Sequence, residues 1–513
     1  MDNLSTESLE WALKHLGVHG DTDFLPRPFE IEAMQACWGA ALPEFQSVDL
    51  SVHVPSDPLL VLAPKGDAAF RAVKQLNPWD SVIYAAIARE AAEAVETMRR
   101  PHADGRVFSY RVSLTESGQL FDPGVTWRDF HKRSVEIAKD KGFSHVVVAD
   151  IADFYNHIYL HRVRSALEAA GVSSKRSEHV ERFLMGLNAK NSRGLPIGPN
   201  ASRLLAEATL HDVDAMLVRR GYEHVRYLDD FRIFVRSRAN AVQALHDLAY
   251  YLYTAHRLAL QSKKTAILDA SDFHERELFD TEEMAEAMKA AQLMFGAGSL
   301  FGAAPPDLSS DKNAELKALA NTLVDLLGRA IDKEFNVRVY DVGWIFRTAT
   351  GSRIRALVPK TLASLDKLVT ILPDVITYLL RVTNERNAKE IGEALYDFAM
   401  NGEKSSLPFV QVWILHALCK RPELCEAGRA MKLADRAPPV FRDRALALLA
   451  QAHKRADYVR EQKEVAGNMG PWAQRAIIWA ASVLPGDESR HWLEPFKESH
   501  DPMLASVAKS VAP

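Results

Sequence analysis

VRYLDDFRIFV, residues 225–235, sets two adjacent aspartates between two apolar runs. Aromatic and β-branched residues on both sides of a short polar tip are typical of a β-hairpin. Its turn would present Asp229 and Asp230 together. Adjacent buried carboxylates repel each other unless a cation lies between them, so this hairpin predicts a bound metal.

A second apolar run also ends on an aspartate. In VVVADIADFYNHI, residues 146–158, the strand-like segment stops at Asp150. Phosphoryl transfer by two metal ions needs carboxylates from separate strands that converge on ions about 4 Å apart. We therefore predict that Asp150, Asp229 and Asp230 form one catalytic set.

Two further segments flank the hairpin in an informative order. GLPIGPNASRLLAEATL, residues 194–210, is a glycine-containing loop that runs into an apolar helix, and Gly198 would let the backbone approach a base or sugar closely. HRLALQSKKTAIL, residues 256–268, carries Lys263 and Lys264 between a helix and a short strand. A lysine there can neutralise or protonate a departing pyrophosphate.

The rest of the chain divides by pattern. LLVLAP and VFSYRVSL read as short strands, SVIYAAIAREAAEAVETMRR as a long helix, FSHVVVADI as a strand and QALHDLAYYLYTAHRLAL as a helix, which together predict an α+β region. Beyond about residue 280 only helical patterns remain. Proline followed by an amphipathic helix recurs there at Pro408, Pro439, Pro471 and Pro502, at intervals of 31, 32 and 31 residues. This spacing favours stacked helix pairs of HEAT-like type over an irregular bundle. The stretch 296–312 is the predicted linker.

Composition excludes some classes of protein. The 513 residues carry a formal net charge of −4, which argues against a protein that coats nucleic acid but leaves room for a local basic channel. Candidates for that channel are Lys190, Arg193, Arg203, Arg219, Arg220, Arg226, Arg232, Arg236 and Arg238. The three cysteines, Cys37, Cys419 and Cys425, match no zinc site and are predicted to be buried free thiols. No signal peptide or membrane-spanning run is visible, so we expect a cytoplasmic protein without a membrane partner.

The four segments around the three aspartates resemble motifs A to D of reverse transcriptases. The resemblance implies that Asp150, Asp229 and Asp230, with Ile151, bind two Mg²⁺ ions, Mn²⁺ being an alternative, for the incorporation of deoxynucleoside triphosphates. It implies contacts to that substrate from Lys65, Arg71, Phe154, Tyr155, Gly198 and Lys264. Tyr155, five residues after Asp150, falls where the family keeps an aromatic steric gate against ribonucleotides, and its neighbour Phe154 is then the core residue of the two. Lys65 and Arg71 resemble the residues of the fingers that grip the triphosphate, although a surface role is an equal alternative. Arg111 is a further candidate, for which a structural role is an equal alternative.

The whole chain resembles the bacterial abortive-infection (Abi) reverse transcriptases of phage defence, of the prophage-encoded type with a C-terminal helical-repeat domain. The strings that carry this likeness are LEWALKHLGVHGDTDFLPRPFE, VFSYRV and RYLDDFRIF, together with the helical C-terminal half. It implies a reverse-transcriptase fingers and palm domain over residues 1–290, α+β in class, followed by an all-α HEAT-like domain over 291–513. It also implies homo-oligomers and untemplated synthesis of single-stranded DNA that is primed from, and covalently attached to, the protein.

Two departures from templated enzymes bear on this reading. Ile197 stands where those enzymes usually carry glutamine, and Arg203 stands where a proline is expected after Ser202. Isoleucine can only pack, which is consistent with a reduced need for a template. Two alternatives stay open: a conventional RNA-templated reverse transcriptase, and a catalytically inert scaffold whose helical repeats bind another protein.

Overall fold

The computed structural model describes residues 2–66, 68–140, 142–273, 310–332 and 339–511. The chain divides into two compact units. The first comprises residues 1–22, 38–59 and 74–281, and the second comprises 23–37, 60–73 and 282–513. The predicted domain boundary at residue 290 and most of the predicted linker at 296–312 lie outside the described residues. The inclusion of 23–37 and 60–73 in the second unit was not expected from the sequence.

The helices and strands follow in chain order. Up to residue 138 they are α1 (Thr6–His19), α2 (Phe29–Ala36), α3 (Trp38–Ser47), β1 (Leu59–Pro64), β2 (Phe70–Gln75), α4 (Pro78–Met98) and α5 (Trp127–Ala138). Next come β3 (His145–Asp150), α6 (Phe154–His157), α7 (Leu160–Ala169), α8 (Ser174–Leu187), α9 (Asn200–Thr209), α10 (His211–Arg219), β4 (Glu223–Tyr227), β5 (Asp230–Val235), α11 (Arg238–Tyr251) and β6 (Ala266–Asp269). The C-terminal part contains α12 (Ser310–Asp332), α13 (Val339–Gly351), α14 (Val358–Leu362), α15 (Leu372–Val382), α16 (Ala388–Asn401), α17 (Pro408–Lys420), α18 (Ala427–Ala434), α19 (Pro439–Ala452), α20 (Ala456–Lys463), α21 (Pro471–Ala480), α22 (Gly486–Lys497) and α23 (Pro502–Val511).

The first unit is built around a four-stranded antiparallel sheet in the order β4-β5-β3-β6. Helices α5 and α11 pack on this sheet. Its core contains Phe130 of α5, Val146 of β3 and Phe234 of β5, all at most 1% exposed. Strands β3, β4 and β5 are buried along most of their length, as expected when helices cover a sheet, and this rigid centre fixes where each strand ends.

Local sequence signals explain where several helices begin. Helix α4 starts after Asn77, whose side chain accepts from the Trp79 N–H, and has Pro78 in its first turn. Helix α5 starts with a reciprocal capping box between Thr126 and Asp129. These two helices are therefore fixed at their N-termini by their own sequence.

The described part of the second unit is mainly helical. Helices α17, α19, α21 and α23 begin at the four prolines of the predicted repeat, and each packs against the next. Proline is tolerated in a first helical turn because its missing N–H would have no partner there. The regular spacing seen in the sequence therefore corresponds to successive packed helices.

Two predicted elements are wrong. VFSYRVSL, residues 107–114, makes only isolated bridges, Val107 with Arg226 and Val112 with Phe121, because its main-chain groups are taken up by turns and by side chains. The helix predicted to reach residue 260 ends α-helically at Tyr251 and continues as one π-turn to His256. The αL residue Arg257 then redirects the chain.

Two class predictions from composition can be compared with the fold. The three cysteines are free, and Cys425 is buried while Cys37 and Cys419 are half-buried. Among the helices of the described ranges, none has the length and apolarity that a membrane crossing requires.

Candidate active site

The β4–β5 hairpin presents the two adjacent aspartates. Tyr227, the last residue of β4, pairs with Asp230, the first residue of β5, so that only Leu228 and Asp229 form the turn. Leu228 has φ +54°, the left-handed conformation that tight hairpin turns favour and that a leucine rarely adopts. The turn leaves Asp229 at its tip and Asp230 at the start of a buried strand.

Strand β3 brings the third aspartate to the same end of the sheet. Asp150 pairs in register with Asp230 across the antiparallel β3–β5 ladder, and the charge of Asp150 raises the pKa of Asp230. The main chain around it is held on two sides. The Ile151 N–H donates to the Asp229 carbonyl at 3.1 Å, and the Gln261 N–H donates to the Asp150 carbonyl at 2.7 Å. The three predicted aspartates therefore lie together, as does Ile151, which reaches the site through its main chain.

Lys264 supplies a positive charge beside these carboxylates. Its ammonium Nζ donates to Asp150 Oδ2 at 2.7 Å, and its side chain is 52% exposed. Partial burial lowers the pKa of Lys264, but the hydrogen bond to Asp150 and the charges of the three aspartates outweigh that effect and raise it. Lys264 is thus a cationic donor at the solvent side of the site, while Lys263 is exposed.

The surroundings of Asp229 and Asp230 favour the protonated form of both side chains. Burial, followed by repulsion from Asp230 and Asp150, raises the pKa of Asp229 from 3.8 to about 7. Burial and the charge of Asp150 raise the pKa of Asp230 to about 6, although Lys264 and Arg232 oppose this. Three carboxylates with one lysine leave an excess of negative charge in a buried place.

This excess is the observation that bears on metal binding. Mg²⁺ and Mn²⁺ prefer carboxylate oxygens, and a divalent cation among the three aspartates would remove the repulsion that raises their pKa values. Within the described ranges, no group of three or more His, Cys, Asp or Glu side chains is already arranged as a set of metal ligands. By donor type and charge the three aspartates fit a divalent ion, although their side chains do not form a complete ligand set in this structure.

The two aromatic residues after Asp150 have different surroundings. Phe154 is 2% exposed and belongs to the core, whereas Tyr155 is half-buried. Burial raises the pKa of Tyr155 well above its ordinary value, and Tyr110 and Asp229 contribute to the increase while Arg203 opposes it. Tyr155 therefore lies within electrostatic reach of the β4–β5 hairpin, and Phe154 is packed away from solvent.

The glycine-containing loop approaches a protein side chain closely. Gly198 has φ +124°, and a Cβ at this position would overlap the Thr22 side chain. The glycine is thus required for packing against Thr22, and the predicted close approach of its backbone to a base or sugar stays a prediction. Ile197, in the same loop, is 8% exposed and buried in the protein.

Lys65 and Arg71 belong to the second unit, in the β1–β2 hairpin region. The Lys65 N–H donates to the Ala69 carbonyl at 2.7 Å, which closes the hairpin. The Arg71 guanidinium lies over the Phe24 ring, 5.0 Å from its centroid. Both of these contacts lie within the second unit, and the predicted grip of Lys65 and Arg71 on the triphosphate stays a prediction.

A buried ion network beneath the hairpin was not predicted. Arg226 of β4 is 0% exposed and donates from Nε and Nη2 to the two carboxylate oxygens of Asp214, at 2.8 and 2.6 Å. It also donates to both oxygens of Glu207 at 3.1 Å and to the Leu228 carbonyl at 3.0 Å. Although burial raises the pKa of Asp214, the charge and hydrogen bonds of Arg226 lower it below its ordinary value. Arg226 therefore links a buried pair of acids to the strained turn.

Ser109 and Arg99 complete this network. The Leu228 N–H donates to Ser109 Oγ at 2.8 Å, and the Ser109 hydroxyl donates to Glu207. Arg99 Nη2 donates to Glu207 Oε2 at 2.8 Å and to the Ser109 carbonyl at 2.6 Å. Both main-chain groups of Leu228 are thus bonded to side chains that are themselves held by Glu207.

The predicted basic channel needs a correction. Arg226 is enclosed in the ion network, and Arg232, 7% exposed, lies between the rings of Phe130 and Phe273. These two arginines face the interior because buried partners compensate them, so they cannot line a channel for nucleic acid. Arg111, the further substrate-binding candidate, is buried against Glu96 and has a structural role.

Comparison with known proteins gives a family match over part of the chain. Residues 81–286 match the family model described as Reverse transcriptase (RNA-dependent DNA polymerase). No curated protein sequence matches the chain. Solved structures with partial likeness include apo telomerase from Candida tropicalis, at 9% identity and TM-score 0.35 over 71% of this chain and 70% of that one. Telomerase from Candida albicans in complex with a fragment of telomeric RNA aligns at 11% identity and TM-score 0.32 over 80% and 71%. These low scores add nothing to the fold described above.

Proposed function

We propose that this chain, which contains a reverse-transcriptase domain at residues 81–286, is a divalent-metal-dependent DNA polymerase that synthesises single-stranded DNA without a template. We further propose that synthesis starts on a residue of the protein itself and serves abortive-infection defence against phage, in a homo-oligomer. The observation that carries the polymerase assignment is the meeting of Asp150 with Asp229 and Asp230 at one end of a buried sheet.

The residues of the site would divide the work as follows. Asp150, Asp229 and Asp230, with the main chain of Ile151, would hold two Mg²⁺ ions, or Mn²⁺ in their place. Such ions activate an attacking 3′-hydroxyl and brace a triphosphate. Lys264 is placed to neutralise or protonate the departing pyrophosphate, because its ammonium is half exposed and already contacts Asp150. Lys65 and Arg71 remain candidates for contacts to the triphosphate.

Support for synthesis without a template comes from the loop before α9. Ile197 is buried by protein and offers no polar group to a base. Arg203 donates to Asn200 Oδ1 at 2.7 Å and lies over the Tyr110 ring, so it is held by protein partners. Neither residue then offers a polar group to a templating or incoming base. A site without such contacts to a base depends less on a paired template.

The test is an incorporation assay on the purified full chain. Radiolabelled deoxynucleotides and Mg²⁺ are added with and without an RNA template and primer, and products are resolved on a denaturing protein gel. We expect label that migrates with the polypeptide and forms without template. Incorporation only with added template, into free nucleic acid, would support the templated alternative, and no incorporation under either condition would support an inert scaffold.

Tyr155→Ala should weaken discrimination against ribonucleotides. A ring beside the sugar 2′ position excludes a hydroxyl by steric overlap, and its removal should raise the ratio of ribonucleotide to deoxynucleotide incorporation by about 10- to 100-fold. The measurement is competition between matched nucleotide pairs. Tyr253→Ala, at a residue that is 60% exposed, is the matched control and should leave the ratio unchanged. An unchanged ratio in Tyr155→Ala would remove this residue from the proposed gate.

A further inference from the structure

A large cavity in the second unit is lined mainly by cations. It has a volume of about 920 Å³ and lies where the C-terminal ends of α13, α15 and α17 meet the segment 26–32. Among the described residues, six arginines and one lysine line it, against two carboxylates, Glu32 and Asp374. We call it the basic cavity. An excess of cations of this size in one concave place attracts anions.

Structural partners account for only part of this positive charge. Arg347 donates to Asp374 at 3.3 Å, Arg355 donates to the Val382 carbonyl at 3.4 Å, and Arg421 pairs with Glu423 at 3.2 Å and donates to the Leu380 carbonyl at 3.1 Å. The three helix ends carry about half a unit of negative charge each, which offsets less than half of the excess of cations that remains once Glu423 is counted with the two lining carboxylates. The cavity therefore stays electropositive after the compensation within the protein is counted.

Two arginines of the cavity lining are exposed and lack an ion-pair partner within the described ranges. Arg353 and Arg381 are exposed and line the cavity, and neither makes an ion pair with any described residue. His416 also lines the cavity. Burial lowers its pKa to about 4, and the positive charges of Lys420 and Arg27 add to this decrease. Exposed cations without ion-pair partners beside a neutral histidine are suited to binding a polyanion.

The size and lining of the basic cavity favour the phosphate backbone of a nucleic acid as its ligand. The volume lies near the upper end of the range for a single small ligand, about 300–1,000 Å³. Trp413 and Phe29 reach the cavity, but they are only 6% and 9% exposed, so little of either ring is left for stacking on bases. Recognition by arginine without stacking is sequence-independent and directed at phosphates.

We propose that the basic cavity binds the phosphate backbone of single-stranded DNA, holding the product of the reverse-transcriptase domain. The inference rests on the proposed function for the identity of the strand. A second source of the same phosphate chemistry is a nucleoside triphosphate, which the experiment distinguishes.

Binding is measured on the full chain by fluorescence anisotropy, with a labelled oligo-dT of about 12 nucleotides, within the usual range of single-strand sites. EDTA replaces Mg²⁺ and no nucleotide is present in this assay, so oligonucleotide binding is measured even if the chain cannot polymerise. The variant is Arg353→Gln with Arg381→Gln. The control is Arg436→Gln with Arg490→Gln, two exposed arginines of the same unit that do not line the cavity.

We expect weaker binding in the cavity variant. The slope of log K against log salt should become shallower by about 1.4, because each lost contact to a single-strand phosphate removes about 0.7. The control should bind as wild type, and all proteins should melt at the same temperature because the changed side chains are exposed. Unchanged oligonucleotide affinity in the cavity variant would overturn the proposal. A parallel titration in the same EDTA buffer uses labelled dTTP in place of the oligonucleotide. Loss of dTTP affinity there, with oligonucleotide affinity unchanged, would overturn the proposal in favour of a nucleotide site.

Discussion

Asp229→Asn together with Asp230→Asn should abolish nucleotide incorporation while the domain stays folded. Removing the carboxylates removes stabilisation of several kcal/mol from the transition state, which corresponds to a fall in rate of at least about 10³-fold. The control is Asp269→Asn with Asp272→Asn. It makes the same chemical change at exposed aspartates near the opposite end of β3, where Asp269 pairs with His145, and should incorporate at the wild-type rate. Wild-type incorporation by the Asp229 and Asp230 variant would refute the polymerase assignment.

The same variant should be more stable than wild type in alkaline buffer without divalent ions. Both aspartates have a folded-state pKa, about 7 and about 6, above the ordinary value of 3.8. The folded state therefore binds protons more tightly than the unfolded state, and this stability is complete only below about pH 4 and is lost as the pH rises through 6 to 7. At about pH 8 the asparagine pair avoids that loss, so its Tm should exceed that of wild type by about 2–4 °C for each kcal/mol of repulsion relieved.

Divalent ions provide a readout that does not depend on catalysis. Mg²⁺ should raise the Tm of wild type at about pH 8, because a ligand that binds only the folded state stabilises it. It should leave the Tm of the Asp229 and Asp230 variant unchanged. An equal response of both proteins to Mg²⁺ would place the ion elsewhere, even if incorporation were lost.

The catalytic end of the sheet could be predicted because local pattern alone determines it. One apolar strand ends at Asp150 and another begins at Asp230, so both residues lie at strand ends. Only Leu228 and Asp229 separate the two strands of the hairpin, so their connection must be a tight turn. The helix starts at the four repeated prolines were predictable for the same reason, since proline restricts the backbone locally. In both cases the outcome depended on few neighbours in sequence.

The ion network and the assignment of the N-terminal segments depended on distant neighbours. The sequence makes Arg226 a candidate for a basic channel, because its acidic partners lie on α9 and α10 and only the fold brings them together. One signal was available: Glu207 is the single acid within the apolar run LLAEATL, and Arg226 interrupts an apolar strand. Similarly, nothing local distinguishes residues 23–37 and 60–73 from their flanks, although their buried side chains pack with the helices beyond residue 310 in one hydrophobic core.

Arg226→Met should destabilise the fold strongly and impair the active site at the same time. The change leaves Glu207 and Asp214 buried with their largest compensating charge removed, and breaking a buried ion pair in this way costs about 3–5 kcal/mol. It also removes the donor to the Leu228 carbonyl. The measurement is the free energy of unfolding in urea, for which Arg220→Met is the matched control. Arg220 is 51% exposed and pairs with Asp247 at 2.7 Å, so its loss should cost about 0–1 kcal/mol.

Ser109→Ala separates the effect on the turn from the effect on the core. It keeps all the charges and removes only a hydroxyl, which accepts from the Leu228 N–H and donates to Glu207. A buried N–H without a partner lowers stability by about 1–3 kcal/mol. In the variant this adds to the cost of the left-handed conformation of Leu228, which is itself about 1–3 kcal/mol. The turn should therefore relax, and incorporation should fall more than the loss of folded protein explains at a temperature where the variant is fully folded. If Arg226→Met melts like Arg220→Met, or Ser109→Ala incorporates at the wild-type rate, the network does not hold Asp229 and Asp230 in place.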